Sequence, residues 1–252
     1  MTDNSDPQMA LMFSFFESVV RKGPGSKEST LKALSMLDGL PPTPRIVDFG
    51  CGAGVASLVL ARATQGNVTA VEIHQPFLQQ LEALAASEGL TEKIRTVEAD
   101  MADPPFPDVS FDLVWSEAAI YNVGFEQGLK RWRRLLRAGG FIAVSEVSWL
   151  CEAPPGEVVD FWASEYPAMT NIEDNLTKVR MSGFEPVGHF VLPSKDWENY
   201  YGPLQEQLVV FRSENSDDAE AQAFADSLQQ EIDVWKEYSD SYGYVFYVGR
   251  AI

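Results

Sequence analysis

Sulfur and imidazole are scarce in this chain. Its 252 residues include two cysteines, Cys51 and Cys151, and two histidines, His74 and His189. That is too few soft ligands for a closed zinc centre, and no metal site is expected. Positive charge is scarce as well, with 19 Lys and Arg against 37 Asp and Glu and a net charge of −18. Such a field repels a duplex or an anionic bilayer, because nucleic-acid binding depends on phosphate neutralisation. It attracts a cationic ligand instead. No uninterrupted apolar run approaches the roughly 20 residues that span a bilayer. The start MTDNSDPQ lacks the basic segment of a secretory signal. No nucleic-acid or membrane partner is expected, and a cytoplasmic location is. Apolar residues are plentiful: at 45% apolar and 22% charged, the chain can bury a sizeable core.

Along the chain, Met9, Met12, Phe13, Phe16, Val19 and Val20 recur at helical spacing over Pro7 to Lys22. GPGS (23–26) breaks that pattern, and Ser26 is positioned to cap a helix running to about Leu37. Strand and helix signals then alternate: RIVDF, a helix from Val55, NVTAVEI, a helix over Pro76 to Ser87, KIRTVEAD, FDLVWS, a helix over Phe125 to Arg137, and GGFIAVSE. Short apolar strands alternating with helices predict an α/β parallel sheet covered on both faces. Further helices are expected in PGEVVDFWASEY and NIEDNLTKVRMSGF, then a strand EPVGHFVL, helices at about 195–212 and 217–239, and a last strand YGYVFYVGR. Residues 196–240 hold twelve acids and two bases, which reads as a solvated helical face.

The informative stretch is Val47-Asp48-Phe49-Gly50-Cys51-Gly52-Ala53-Gly54, an apolar strand entering a glycine-rich turn that opens a helix. Open α/β sheets bind ligands at this place, the carboxyl ends of strands, and glycine lets backbone approach a ligand closely. The spacing G-x-G-x-G differs from the dinucleotide pattern, whose third glycine would fall at Val55. Asp48 sets a carboxylate where a pyrophosphate would have to approach, which favours a ligand carrying positive charge. Glu72 ends the second strand, where a carboxylate can accept hydrogen bonds from ribose hydroxyls. Asp100 ends the third strand, placed to receive an adenine amino group with Met101 near the ring. FDLVWS ends at Ser116 and Glu117.

Together these residues resemble a class I S-adenosylmethionine-dependent methyltransferase. VDFGCGAG stands as its first motif, Glu72 as its second, EADMADPPFPDVSFDLVWS as its third and LLRAGGFIAVSE as its fourth. The resemblance implies a Rossmann-like, seven-stranded, mostly parallel sheet with helices on both faces, its last strand antiparallel and inserted. It implies S-adenosylmethionine as cofactor, S-adenosylhomocysteine as product and a small-molecule acceptor. Asp48, Gly50, Gly52 and Gly54 of the strand-one turn would then line the methionine end, Glu72 the ribose, and Asp100 and Met101 the adenine, with Ser116 a further cofactor-binding candidate. RKGPGSKEST and SEAAIYNVGFEQG are similar to a ubiquinone/menaquinone-type subgroup, in which the GPGS stretch closes over the cofactor. Gly23, Gly25 and Thr30 become contact candidates on that ground. One domain is expected, with an N-terminal helical cap over 1–40, a cofactor core over 45–150, and substrate-side helices and last strands over 151–252. About 50 residues, 193–242, form a helical insertion before the last strand, and its role is not set by the resemblance.

A general base is needed only where the acceptor must lose a proton. Glu117 and Tyr121 after the fourth strand, and His189 in EPVGHFVL, are the candidates, with a satisfied core position as the alternative for His189. Glu146 and Trp149 are expected after the fifth strand. Phe161, Trp162, Tyr166, Trp197, Tyr200 and Tyr201 are candidates to line an apolar pocket, with ordinary core packing as the alternative. Cys51 reads as a small filler, since no adjacent base would lower its pKa. DPPFPD (103–108) precedes the fourth strand and reads as a turn, and KRWRRLLR (130–137) as a solvated helix face beside Trp132, Leu135 and Leu136. Two rival functions stand beside methyl transfer. A nicotinamide oxidoreductase is disfavoured by the glycine spacing and by the lack of a Tyr-x-x-x-Lys pair. A non-catalytic cofactor-binding or interaction protein would use the acidic insertion as its working surface. The sequence leaves the acceptor atom and the oligomeric state, including a homodimer, open.

Overall fold

The computed structural model describes residues 7–252, so the acidic start at 1–6 lies outside the described residues. In chain order the elements are α1 (Pro7–Glu17), α2 (Lys27–Leu34), β1 (Arg45–Phe49), α3 (Val55–Ala63), β2 (Asn67–Glu72) and α4 (Gln75–Ser87). There follow β3 (Ile94–Glu98), β4 (Phe111–Ser116), a 3-10 turn at Ile120–Asn122, α5 (Phe125–Arg133) and β5 (Leu136–Trp149). The second half adds α6 (Gly156–Glu165), β6 (Thr170–Asn171), α7 (Ile172–Met181), β7 (Phe184–Val191), α8 (Ser194–Glu214), α9 (Ala219–Tyr238) and β8 (Tyr242–Ala251).

The sheet runs β3-β2-β1-β4-β5-β8-β7. β3, β2, β1, β4 and β5 are mutually parallel, while β8 lies antiparallel between β5 and β7. These are the seven expected strands. The two-residue β6, not expected, pairs with the end of β5 at Ser148 and Trp149. The chain winds outward from β1 to β3 and then returns to place β4 on the other side of β1, so the carboxyl ends of β1 and β4 flank a crevice.

Both faces of the sheet are covered because apolar side chains alternate on strands buried on both sides. Ile46, Leu113 and Trp115 pack with Leu60 of α3, Leu204 of α8 and Ile232 of α9. Val47, Val114 and Val144 face the opposite way, onto Leu129 and Trp132 of α5 and Val179 of α7. Trp132 stacks on Phe49 at a centroid distance of 4.7 Å, and its Nε1 donates to the Met101 carbonyl at 2.9 Å. The helical insertion, α8 with α9, is packed rather than dangling. Phe211 and Phe224 hold Phe15 of α1 edge-on, at 5.2 and 5.5 Å.

Several boundaries differ from expectation: α2 ends at Leu34 rather than about Leu37, β5 runs beyond GGFIAVSE at both ends, and α1 and α5 stop early. α1 stops at Glu17, five residues early, because Ser18 Oγ takes up the Phe15 carbonyl at 2.6 Å and Lys22 Nζ donates to the Phe16 and Val19 carbonyls. α5 stops at Arg133, since Leu136 already pairs with Phe111 and opens β5. A left-handed Gly139 (φ +72°) and a register shift between Phe111 and Leu113 then carry the strand on. Ser26 caps α2 as expected, accepting from the Ser29 backbone N–H at 3.1 Å.

Candidate functional site

The crevice opens into a cavity of about 720 Å³ at the carboxyl edge of β1, β2 and β4. Three sides are built by parts already met: the turn after β1, the end of β2 and the segment after β4. The roof comes from α1 and the strap that follows it, through Met9, Met12, Phe13, Phe16, Arg21 and Lys22. The far end is closed by α6, α8, α9 and β8.

In the turn, Gly50 and Gly52 line the cavity with positive φ, +64° and +52°. Gly50 is pinched: a Cβ there would stand 2.5 Å from Ala119 Cβ and 3.4 Å from Met101 Sδ. Only glycine fits both that backbone and that space. Gly54 is also left-handed, but it does not line the cavity. Its missing Cβ makes room for Leu81 of α4, whose Cδ1 would be 2.2 Å away, so its role is helix packing.

Glu72, half-buried, is held by three backbone N–H groups. Gly52 donates to its Oε2 at 3.0 Å, and Ile73 and His74 donate to its Oε1 at 2.8 and 3.2 Å. A carboxylate offers about four lone-pair sites, so acceptor capacity remains toward the cavity. Asp100 is exposed and lines the cavity, with its Oδ1 engaged by the Ala102 N–H at 2.7 Å, and the Met101 side chain lies under Gly50.

Asp48 lines the cavity from the end of β1, yet it is buried and accepts from Ser57 Oγ at 2.6 Å. Burial pushes its carboxyl up to about 8, against the Ser57 hydrogen bond, so at neutral pH it mostly holds its proton. The expected standing carboxylate is therefore a protonatable group that ionises when positive charge comes near. Burial, reinforced by the charges of Asp48 and Glu72, also holds the Cys51 thiol well above its ordinary value, in line with a filler role.

Glu117 lines the cavity directly after β4. Thr30 Oγ1 donates to its Oε1 at 2.7 Å and Trp115 Nε1 at 3.0 Å. Burial raises its pKa, opposed by the Arg21 guanidinium and those two donors. Thr30 and Gly25 do not line the cavity themselves. They fasten the strap: Gly25 N–H donates to the Asp196 carbonyl at 3.2 Å, and Ser29 Oγ donates to Asp196 Oδ2 at 2.5 Å. Gly23 and Pro24 form the strap's cavity face. Ser116 is likewise set back, its Oγ donating to the Phe49 carbonyl at 2.9 Å to tie β4 to β1.

Tyr121 lines the cavity and is 40% exposed, its ring edge-on to Tyr166 at 6.0 Å. His189 does not belong here, which corrects the expectation. It sits exposed on β7, its ring 6.5 Å from Tyr247 on β8, neither in the cavity nor in the core. β7 is the outermost strand of the sheet, too far from the crevice at β1 and β4. Glu146 and Trp149 lie within β5 rather than after it.

Of the six aromatic candidates, Trp162, Tyr166, Trp197 and Tyr200 line the far end, while Phe161 and Tyr201 do not. Two residues of this end were missed by sequence reasoning, and a third, Glu146, was named but placed beyond its strand. Tyr244 of β8 and Glu231 of α9 line the wall, and Glu231 Oε1 accepts from Tyr201 Oη at 2.8 Å. Glu146 stands behind the wall, buried, with Oε1 accepting from Tyr166 Oη at 2.6 Å and Oε2 without a partner. Burial pushes it up to about 8. A signal for Glu231 existed, since Phe224, Leu228 and Glu231 follow i, i+4, i+7 and share one helix face. Among the described residues no group of three His, Cys, Asp or Glu is placed to hold a metal, and no helix is long and apolar enough to cross a membrane.

Comparison with known proteins agrees with this geometry. The methyltransferase domain family matches residues 47–144, the span from the middle of β1 into β5. Among curated proteins, the chain is 27% identical over 68% of its length to a sterol 24-C-methyltransferase of Gibberella zeae, and covers 47% of that enzyme. It is 26% identical to the 27-O-demethylrifamycin SV methyltransferase of Amycolatopsis mediterranei, over 73% of this chain and 72% of that one. The chain thus spans about half the length or less of several curated relatives that it matches. Among solved structures, a methyltransferase of Geobacter sulfurreducens in complex with S-adenosylhomocysteine superposes with a TM-score of 0.82, at 19% identity, over 96% of this chain and 98% of that one. A counterpart from Thiobacillus denitrificans, also in complex with S-adenosylhomocysteine, gives 0.79 at 18% identity, covering 96% and 98%.

Proposed function

We propose that this chain, whose residues 47–144 match the methyltransferase domain family, is a class I methyltransferase that moves a methyl group from S-adenosylmethionine to a small-molecule acceptor. The observation that carries the reading is the turn after β1, its Gly50 sealed against Ala119 and its Gly52 N–H bound to Glu72 at the end of β2. A bare backbone turn and a fixed carboxylate on adjacent parallel strands suit the two ends of a nucleoside bearing a charged tail. In this reading Gly50 and Gly52 hold the methionine end, Glu72 accepts from the ribose hydroxyls, and Asp100 with Met101 flanks the adenine. S-adenosylmethionine supplies an electrophilic methyl group on a cationic sulfur. The protein's task is alignment, which can recover on the order of 7–11 kcal/mol in a well-oriented reaction. The apolar roof of α1 excludes water from the bond being exchanged.

Glu117 and Tyr121 are the groups on this cavity positioned to take a proton where the acceptor must lose one. The relatives act, by their names, on a sterol, on a rifamycin and on a methyl-phytyl-hydroquinone, which supports a small organic acceptor without choosing among them. A cytoplasmic location belongs to the same reading, supported by two free cysteines, Cys51 and Cys151. So does a single domain whose 151–252 segment closes the acceptor side.

The test is to incubate the protein with isotope-labelled S-adenosylmethionine and a broad extract of small molecules, and to search by mass spectrometry for a labelled product one methylene heavier. A product that depends on the protein and is lost in Glu72→Ala supports methyl transfer. Tight binding of S-adenosylhomocysteine with no product across a wide screen would favour a non-catalytic binding role.

A further inference from the structure

The far end of the cavity has a chemical character of its own. Its walls are the rings of Tyr200, Trp197 and Tyr244, with Trp197 and Tyr244 5.4 Å apart, and Tyr121 and Tyr166 stand toward the β4 side. Into this aromatic wall α9 sets Glu231, whose Oε1 accepts from Tyr201 Oη at 2.8 Å; burial and the neighbouring Glu165 raise its carboxyl, opposed by that hydrogen bond, so a cation beside it would restore the charged form. Glu165 of α6 lies nearby at the rim. Positive side chains are absent from this end among the described residues. The cavity's two cations, Arg21 and Lys22, both belong to the strap at the nucleoside end. Arg21 is committed to the neighbourhood of Gly25 and Glu117. Lys22 donates to the carbonyls that end α1 and lies 4.3 Å from the centre of the Phe77 ring. Against them the cavity sets six carboxyl groups.

This arrangement selects by charge. A half-buried carboxyl without an opposite charge is costly, and an aromatic face attracts a cation through its quadrupole. At this end an anionic acceptor would meet repulsion from Glu231 and Glu165, while the cavity's guanidinium, Arg21, is already set against Glu117. Resting on the methyltransferase reading, we propose that the acceptor is a cation whose ammonium group lodges among Tyr200, Trp197 and Tyr244 beside Glu231, while a separate, uncharged nucleophilic atom of the same molecule takes the methyl as the methyl's bond to sulfur breaks. The strap cations stay with the nucleoside, so the two ligands are sorted to opposite ends of one cavity.

The test compares a cation with its uncharged isostere and with an anion on the same benzyl frame. Benzyltrimethylammonium, its uncharged carbon analogue neopentylbenzene and the anion phenylacetate are titrated calorimetrically into protein saturated with S-adenosylhomocysteine, and again into protein alone. The expected result is ammonium binding at least about tenfold tighter than either other probe. Glu231→Gln keeps the acceptor for Tyr201 and removes the charge, and should weaken ammonium binding about tenfold while leaving neopentylbenzene unchanged. Tyr200→Leu, a second variant that removes a ring without touching the carboxyl, should do the same, and neither should alter S-adenosylhomocysteine affinity. Equal or tighter binding of neopentylbenzene or phenylacetate, or an ammonium affinity indifferent to both variants, overturns the proposal. If S-adenosylhomocysteine binds while the ammonium preference is missing, the cation inference falls and the methyltransferase reading stands. If the nucleoside fails to bind, that reading falls, and the titration of protein alone still decides the cation preference.

Discussion

The backbone N–H of Gly52 donates to Glu72 Oε2 across 3.0 Å, tying the turn after β1 to the end of β2. One contact thereby couples the place proposed for the methionine end to the acid proposed for the ribose. Glu72→Ala removes both the ribose acceptor and the brace on the turn. The expected loss in S-adenosylhomocysteine affinity is about 1–3 kcal/mol, or roughly fivefold to 150-fold, read by calorimetric titration. Unchanged affinity would place the ribose elsewhere.

Gly50 offers a steric test of the same site. Valine there would be strained at φ +64° and would drive its Cβ to 2.5 Å from Ala119. Gly50→Val is expected to abolish nucleoside binding and to lower the melting temperature. Circular dichroism establishes that the variant is folded, and full affinity in a folded variant would contradict the placement.

Glu146 and Asp48 predict a pH dependence of stability. Burial raises the Glu146 carboxyl from 4.5 to about 8 and Asp48 from 3.8 to about 8. At low pH both carboxyls are protonated in the folded and unfolded chain. As pH rises through the unfolded values, the unfolded chain releases protons that the folded chain keeps, so stability falls until about pH 8 and then levels. Glu146→Gln removes one of these contributions. Its melting temperature relative to the parent should therefore be higher at pH 8 than at about pH 5.5, while Asp48 leaves the parent slope partly in place. A difference between the two proteins that does not change with pH would contradict the buried, protonated Glu146.

His189 gives the opposite kind of prediction. Being exposed on β7 and outside the cavity, it should be dispensable. His189→Ala is expected to keep kcat/KM within about twofold of the parent once a methyl acceptor is in hand, whereas a hundredfold loss would return it to the reaction.

The glycine turn at the end proposed for the cofactor was legible in the sequence because its signals are local. β4 is buried at all six positions, so FDLVWS reads as a central strand, and the Asp48–Gly54 turn carries its constraint in consecutive residues. The same locality misassigned Gly54, whose neighbour is Leu81, 27 positions along the chain. The far end, proposed for the acceptor, was far less legible because it is assembled from α1, α6, α8, α9 and β8, which meet only in space. Glu231 was hidden in an acidic run whose other members, the buried Asp196 apart, are exposed, and its helical phase with Phe224 and Leu228 sets it apart. Glu146 was read as lying beyond β5 because the strand's true length depends on pairing with β8, from Phe141 opposite Arg250 to Trp149 opposite Tyr242. His189 looked like a candidate base because its sequence carries no sign that β7 is the outermost strand.

A crystal structure of the protein with S-adenosylhomocysteine tests the central claim most directly. The account predicts the ribose hydroxyls within hydrogen-bonding distance of Glu72, the adenine beside Met101 and the amino-acid tail against the Gly50–Gly52 turn. A nucleoside found away from the carboxyl edge of β1 and β2, or a crevice left empty at saturating ligand, would contradict it.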